Sequence, residues 1–174
     1  AHLVRSFPTI RSSWQHQHIV AAVFGMLVRF AADTPGSDGL FHLTWRLLDA
    51  LDASPAGSEL GHALVRSWEL KLLHLAGAAP QLSCCVRCGA TDGIVGFSSR
   101  DGGVVCRDDE LGVDRLLSEA AYGAAVRLMS VRFDELRVAD MPSVTALTEV
   151  RDVMTRPMLV DSFGFAPDTV GADR

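Results

Sequence analysis

Cys85-Val86-Arg87-Cys88 and Cys106-Arg107-Asp108-Asp109 set three thiols and a carboxylate at the spacing of paired metal-ligand turns. The half-sites follow C-x2-C and C-x2-D, with seventeen residues between Cys88 and Cys106. Zinc takes four ligands in a tetrahedron and accepts Cys sulfur, His nitrogen or carboxylate oxygen. Each turn supplies one edge of that tetrahedron, and a hairpin between the turns brings the edges together. The pattern is that of a four-cysteine zinc ribbon, with Asp109 in the fourth place. Three thiolates and a carboxylate carry the same formal charge as four thiolates, but the carboxylate is a harder ligand, so the expected affinity is lower. Two readings stay open. Cys85, Cys88, Cys106 and Asp109 hold a structural Zn2+, or the ribbon is metal-free and held by packing. Cys84 is a spare candidate through its C-x3-C spacing to Cys88.

Other chemistry is weaker. A catalytic zinc site needs an open position and a nearby base, and nothing in the sequence converges on Asp109 to supply one. A thioredoxin-type C-x-x-C opens a helix, whereas Gly89 follows Cys88 at once and Pro80 precedes Cys85. His16 and His18 are two apart, which on a helix sends them in different directions, so a solvated helix start is expected. His62 and His74 read as partly buried or surface residues, and Ser58 and Glu59 as helix caps. No nucleophile elbow, P-loop or dinucleotide fingerprint is present. Arg127, Arg132 and Arg137 are interleaved with Asp134, Glu135 and Asp140, the pattern of a solvated face. Arg66 and Lys71 are placed to flank a groove, and Trp45 and Trp68 to sit in the core. The expectation is a chain that is not an enzyme.

The 174 residues suffice for one substantial core with a small satellite. Hydrophobic residues make up 48% and charged residues 21%, a globular composition. The formal net charge of −5 argues against a dedicated nucleic-acid domain, which reads basic. All four cysteines fall between positions 84 and 106, which suits metal ligation in a reducing cytosol rather than a spread disulfide framework. Ala1 to Trp14 lacks the apolar stretch of a signal peptide. The longest apolar run, Ile19 to Val28, is too short for a bilayer span of about 20 residues. A cytoplasmic protein with no membrane contact is expected. The chain begins at Ala1, which suggests the remainder of a longer protein.

The elements that must position the ribbon are helical. Residues 1–14 read as a loop or linker. A helix is predicted over Gln15 to Ala32, with Ile19, Val23, Met26, Leu27 and Phe30 at helical spacing. Asp33 to Gly39 breaks it. A second helix runs from about Leu40 to Ala53, with Leu43, Leu47, Leu48 and Leu51 on one face, and Ser54-Pro55-Ala56-Gly57 closes it. A third runs from an N-cap at Ser58 to Leu75, with Leu64, Trp68, Leu72 and Leu75 inward and Gly77 as the C-terminal stop. Strands Ile94–Ser98 and Val104–Val105 flank the turn Arg100–Gly103. Further helices are expected from about Asp114 to Met129, with Leu116, Leu117, Ala120, Ala124 and Leu128 inward, and from Ser143 to about Thr155. The tail from Pro157, with Phe163, Phe165 and Pro167, reads as irregular chain or a short turn. The fold class is mainly α: a helical bundle with a small inserted zinc-ribbon-like β-hairpin. Its parts are 1–81, a ribbon at 82–110, and 111–174.

The order Leu72-Leu73-x-Leu75-x-Gly77-x-x-Pro80-x-Leu82, then Cys85-x-x-Cys88-Gly89, Phe97-Ser98 and Gly102-Gly103-Val104-Val105-Cys106, resembles the C-terminal region of the bacterial RecO family. The resemblance covers nearly the whole chain and is most specific over about 64–106. It implies a non-enzymatic recombination mediator in DNA repair, working with RecR and in many bacteria RecF. Such a mediator acts on single-stranded DNA coated by single-stranded DNA-binding protein and associates with the nucleoid. It also implies a structural zinc ribbon, and a helical domain that docks the acidic, hydrophobic C-terminal tail of that coating protein. The family's N-terminal OB-fold domain, which supplies much of its DNA binding, has no counterpart here, so weak DNA binding is expected of this chain. The rival reading is a zinc-ribbon helical adaptor for another protein partner.

Overall fold

The computed structural model describes residues 5–33, 38–55, 58–111 and 115–164. The architecture is set by one helix that is buried on all sides. Helix α4 (Leu60–Leu75) buries eleven of its sixteen residues, and a helix buried around its circumference belongs at the centre of a bundle. It packs against α3 (Asp38–Ala53), α5 (Glu119–Ser130) and α2 (Trp14–Asp33). Leu64, Leu70, Leu72, Leu73 and Trp68 are essentially inaccessible, each contributing roughly 1.5–3 kcal/mol by burial. Leu75 differs from expectation: it is the last residue of the helix and is exposed.

The buried polar side chains of α4 are drawn into bonds, as burial requires. Arg66 Nη1 meets Glu69 Oε2 at 2.6 Å, and Thr155 Oγ1 donates to the same carboxylate oxygen at 2.7 Å. Arg66 is therefore a core residue and flanks no groove. Removing one partner of such a pair costs about 3–5 kcal/mol. Ser67 Oγ donates to the Leu128 carbonyl of α5 at 2.7 Å, and Trp68 Nε1 donates to Thr44 Oγ1 of α3 at 3.3 Å. Trp45 does not approach Trp68; it stacks on Phe41 and meets the edge of Phe7.

Helix α4 starts without the expected side-chain cap. Ser58 Oγ is buried with no partner among the described residues, and Glu59 makes no cap bond there. Tight carbonyl bonds from Gly61 to Ser58 and from His62 to Glu59 close the first turn instead. The C-terminus follows the prediction. Gly77 has φ 75°, its N–H reaches the His74 carbonyl, and Ala78 N–H reaches Leu73, which is a Schellman stop.

Within the stretch expected as a linker, Pro8–Ser12 forms a short helix, α1, and α2 begins at Trp14. Pro8 presets φ at the helix start, and Asp52 Oδ1 of α3 accepts from Thr9 N–H and Ile10 N–H at 2.9 and 3.1 Å. On α2 the predicted stripe is buried at Ile19, Val23, Met26 and Phe30. The predicted breaks over 34–37 and 56–57 lie outside the described residues.

Two strands pair as expected, β1 (Ile94–Ser98) with β2 (Gly103–Cys106), antiparallel with Phe97 opposite Val104. A third strand, β3 (Arg115–Leu116), joins the free edge of β1 and gives the order β2-β1-β3. The helix predicted from Asp114 is thereby shortened. Helix α5 begins at Glu119, capped by Ser118 Oγ accepting from Ala121 N–H at 3.1 Å. Leu116 and Ala120 face out, while Leu117, Ala124 and Leu128 are buried; Asp114 itself lies outside the described residues. Phe97 and Val104 turn into the main core, and Cys85, Val105 and Cys106 form a small second cluster.

The last predicted helix continues further than expected. Helix α6 (Val144–Glu149), capped by Ser143, passes through a π-helical turn at Val150–Thr155 into α7 (Arg156–Phe163). Pro157 lacks an N–H, and its ring opposes the carbonyl four residues back; the widened turn accommodates it. Phe163 packs edge-on against Phe30 of α2. Phe165 and Pro167 lie outside the described residues.

Candidate functional site

The ribbon draws its four predicted side chains together. The Cys85 knuckle is shaped by Cys85 N–H bonding the Ala90 carbonyl at 2.7 Å and by Gly89, at φ 81°, returning its N–H to Cys85 at 2.9 Å. Cys106 ends β2, and a 3-10 turn, Arg107–Asp109, swings the carboxylate back. The four ligand atoms lie within 4.8 Å of one another. Cys88 Sγ is 3.5 Å from Cys106 Sγ. Asp109 Oδ2 is 3.5 Å from Cys85 Sγ and 3.6 Å from Cys106 Sγ. A tetrahedral zinc with Zn–S of about 2.3 Å and Zn–O of about 2.0–2.2 Å sets its ligands roughly 3.5–3.8 Å apart, so the donor set fits a metal of that kind. Cys84 is not among the four.

The three thiols and the carboxylate share protons through their hydrogen bonds. Hydrogen bonding to the Asp109 carboxylate, with a further bond to Cys106, pushes the Cys88 thiol up to about 12. The same Cys88 bond holds Asp109 below the usual carboxylate range. Cys85 is pushed up by burial but pulled below its ordinary value by backbone N–H groups around it. A bound dication would take the place of the shared protons, since ligand thiols must be deprotonated.

A second site lies in the bundle. A cavity of about 670 Å³ opens between α3, the start of α4 and the segment after α5. Leu43, Leu60, Leu64, Val131, Phe133 and Leu136 give it apolar walls. Four basic side chains line it, Arg46, Lys71, Arg132 and Arg137, against two acidic ones, Asp49 and Asp134. The cavity is thus locally positive on a chain of net charge −5. Lys71 does not serve a ligand there. Its Nζ already gives its three protons to Ser67 Oγ, the Leu128 carbonyl and the Val131 carbonyl, at 2.5, 2.8 and 2.9 Å. Burial lowers its pKa to about 8, and the ammonium caps the C-terminus of α5. Arg46, Arg132 and Arg137 are exposed and form the accessible charge. Arg132 is held by Asp134 at 3.0 and 3.1 Å, and Arg137 Nη1 donates to the Asp134 and Leu136 carbonyls.

Sequence reasoning took Arg132 and Arg137 for a solvated face. The signal it passed over is their setting, Val131-Arg132-Phe133 and Leu136-Arg137-Val138, in which each arginine sits between apolar residues.

The histidine pair separates as helical geometry requires, with His18 exposed, but His16 is buried rather than solvated. Its Nε2 is 3.1 Å from Ser54 Oγ, whose own proton goes to the Leu51 carbonyl at 2.8 Å. Nε2 must therefore carry the hydrogen, and Nδ1 is left as a buried acceptor with no partner.

The fold is a helical bundle that carries a cysteine–aspartate ribbon and an apolar cavity with a basic rim. The family model for the C-terminal part of recombination protein O matches residues 19–147. The DNA repair protein RecO of Anaeromyxobacter sp. (strain K) is 34% identical over 128 residues, 72% of this chain and 49% of that protein. The one from Anaeromyxobacter dehalogenans (strain 2CP-C) is 31% identical over 157 residues, 88% of this chain and 60% of that protein. RecO of Exiguobacterium sp. (strain ATCC BAA-1283 / AT1b) is 34% identical over 118 residues, 67% of this chain and 45% of that protein. The chain belongs to the RecO family, and it spans about half the length of these relatives. No solved structure matches it. Among the described residues no helix is long and apolar enough to cross a membrane.

Proposed function

We propose that this chain is the partner-docking part of a non-enzymatic DNA repair and recombination mediator of the RecFOR type, acting on protein-coated single-stranded DNA in the cytoplasm. The observation that carries the docking role is the cavity between α3 and the segment after α5. Its apolar walls suit the hydrophobic end of a peptide, and the exposed Arg46, Arg132 and Arg137 suit acidic residues beside it. That is the chemistry of the C-terminal tail of single-stranded DNA-binding protein. RecR and RecF complete the partner set, and single-stranded DNA is met mainly through an N-terminal OB domain. The segment 82–110 is the inserted ribbon between helical parts 1–81 and 111–174. It carries a structural zinc ligated by Cys85, Cys88, Cys106 and Asp109, and the gathering of their ligand atoms within 4.8 Å of one another supports that assignment.

Fluorescence-anisotropy titration of a labelled tail peptide tests the docking role. Micromolar binding is expected, abolished when the peptide's terminal apolar residue is removed. Arg46→Glu and Arg137→Glu should each weaken it about tenfold, a loss of roughly 1.4 kcal/mol. A peptide that fails to bind at moderate salt, or binds both variants as tightly as wild type, removes the docking role.

A further inference from the structure

Arg87 sits inside the first metal-ligand turn, between Cys85 and Cys88, and its guanidinium reaches three other places. Nη1 donates to the backbone carbonyl of Asp109 at 2.5 Å and to that of Leu111 at 2.7 Å. Nε donates to Asp101 Oδ2 at 3.0 Å, and Nη2 is 3.0 Å from the same oxygen. Asp101 is at the tip of the β1–β2 hairpin and is itself held by its N–H on Ser98 Oγ at 3.2 Å. One planar side chain therefore ties the first turn to the hairpin tip and to the turn that bears the fourth ligand atom.

The need for such a tie follows from the ligand. A cysteine in the fourth place offers a large, strongly bonding sulfur one atom from the backbone. Asp109 offers an oxygen one bond further out, with an extra rotatable torsion and a shorter metal bond. Its carboxylate finds the tetrahedral corner only if the backbone of residue 109 is fixed. The Asp109 carbonyl is the atom that Arg87 grips. Four anionic ligands around a dication also leave an excess of negative charge, and the guanidinium lies beside it.

We propose that Arg87 is a positioning residue that makes Asp109 an effective fourth metal ligand, compensating for the cysteine this site lacks. This rests on reading the four-residue cluster as a metal centre. Arg87 touches no metal; it acts through the turn of Asp109.

The test is Co(II) titration of the full chain, read by the ligand-field and thiolate charge-transfer bands, with zinc affinity from chelator competition. Wild type should give a tetrahedral spectrum. Arg87→Ala should bind about ten- to a hundredfold more weakly, the range for outer partners of metal ligands, and its spectrum should move to that of Asp109→Ala. Arg87→Lys, which keeps the charge without the three-way span, should fall between them and covers the case of a poorly folded alanine variant. In an Asp109→Cys background the Arg87→Ala loss should shrink to less than threefold, because a thiolate needs no held turn. Wild-type spectrum and affinity in both Arg87 variants overturns the proposal. An equal loss in the Asp109→Cys background also overturns it, by assigning Arg87 to ribbon folding alone. A wild-type chain that binds neither Co(II) nor Zn2+ removes the metal reading itself, and with it this inference.

Discussion

At the scale of single residues, the cysteine–aspartate cluster of the ribbon and His16 show what a sequence does and does not disclose. Cysteines are few, and their spacing is fixed by the geometry of a turn, so Cys85, Cys88, Cys106 and Asp109 could be named before any fold was known. His16 could not, because its environment is made by Ser54, thirty-eight residues away. Burial holds His16 below the ordinary imidazole value, against an opposing pull from Asp52. The unfolded chain therefore binds a proton that the folded chain refuses. Stability contributed by neutral His16 is fully present above about pH 6.5 and is lost as pH falls below it, with a slope of at most about 1.4 kcal/mol per pH unit. His16→Gln, which keeps a donor near Ser54 Oγ and cannot titrate, should flatten that part of the curve. Urea midpoints measured from pH 7.5 to 5 decide it; an unchanged pH profile in the variant would show that His16 is not the group responsible. The basic rim of the cavity escaped notice for the same reason as His16. Arg46 and Arg137 are ninety-one positions apart and meet only once α3 and the segment after α5 have packed.

At the scale of elements, apolar periodicity located the helices well where a helix simply covers the core, as on α2 and α3. It failed where a distant partner decides the local conformation. Arg115–Leu116 reads as helix by pattern, yet β1 has an open edge that recruits it as β3. Residues 8–12 read as a linker, yet Asp52 caps them into a helix. The hairpin glycines read as turn formers, and Gly102 at φ 76° is one. Gly103 serves a different need. The chain at Gln81 runs so close beside it that a Cβ would meet the Val86 side chain and come 2.7 Å from the Gln81 carbonyl. Gln81 N–H and carbonyl bond Gly102 and Val104 across this gap at 2.9 and 3.0 Å, so the backbone has no room to withdraw. Gly103→Ala should lower stability by about 1–3 kcal/mol and weaken metal binding with it, measured by urea unfolding and Co(II) titration. A variant with wild-type midpoint would mean that the chain at Gln81 can move aside.

At the scale of the whole molecule, charge and size set what this chain does by itself. The net charge is −5; Arg46, Arg132 and Arg137 gather at the mouth of one cavity, while other exposed arginines such as Arg29, Arg100, Arg115 and Arg156 do not line it. Single-strand binding without sequence preference needs a basic track with stacking aromatics. At physiological salt the chain should therefore bind oligothymidine no tighter than about 10 μM, read by anisotropy over a salt series. Submicromolar binding with a steep salt dependence would place DNA contact in this half of the family's architecture. The general class, a helical bundle with an inserted ribbon, was legible because α4 advertises itself by an apolar run that ends in Gly77 and Pro80. The closure of that bundle was not legible, since the groups that satisfy the polar face of α4 come from α5 and from the π-helical turn before α7.

That closure has a consequence in time. Glu69 receives its hydrogen bond from Thr155 across eighty-six residues, and Ser67 finds Leu128 across sixty-one. At translation speeds of about 5–20 residues per second, roughly 4–17 s separate the synthesis of Glu69 from that of Thr155. Throughout that interval the central helix of the nascent chain carries an incompletely bonded ion pair and lacks the walls that α5 and the π-helical turn will supply. The newborn protein thus passes through a stage in which its future centre is covered only on the side of α2 and α3, and any ribosome pause between α5 and α7 lengthens that stage.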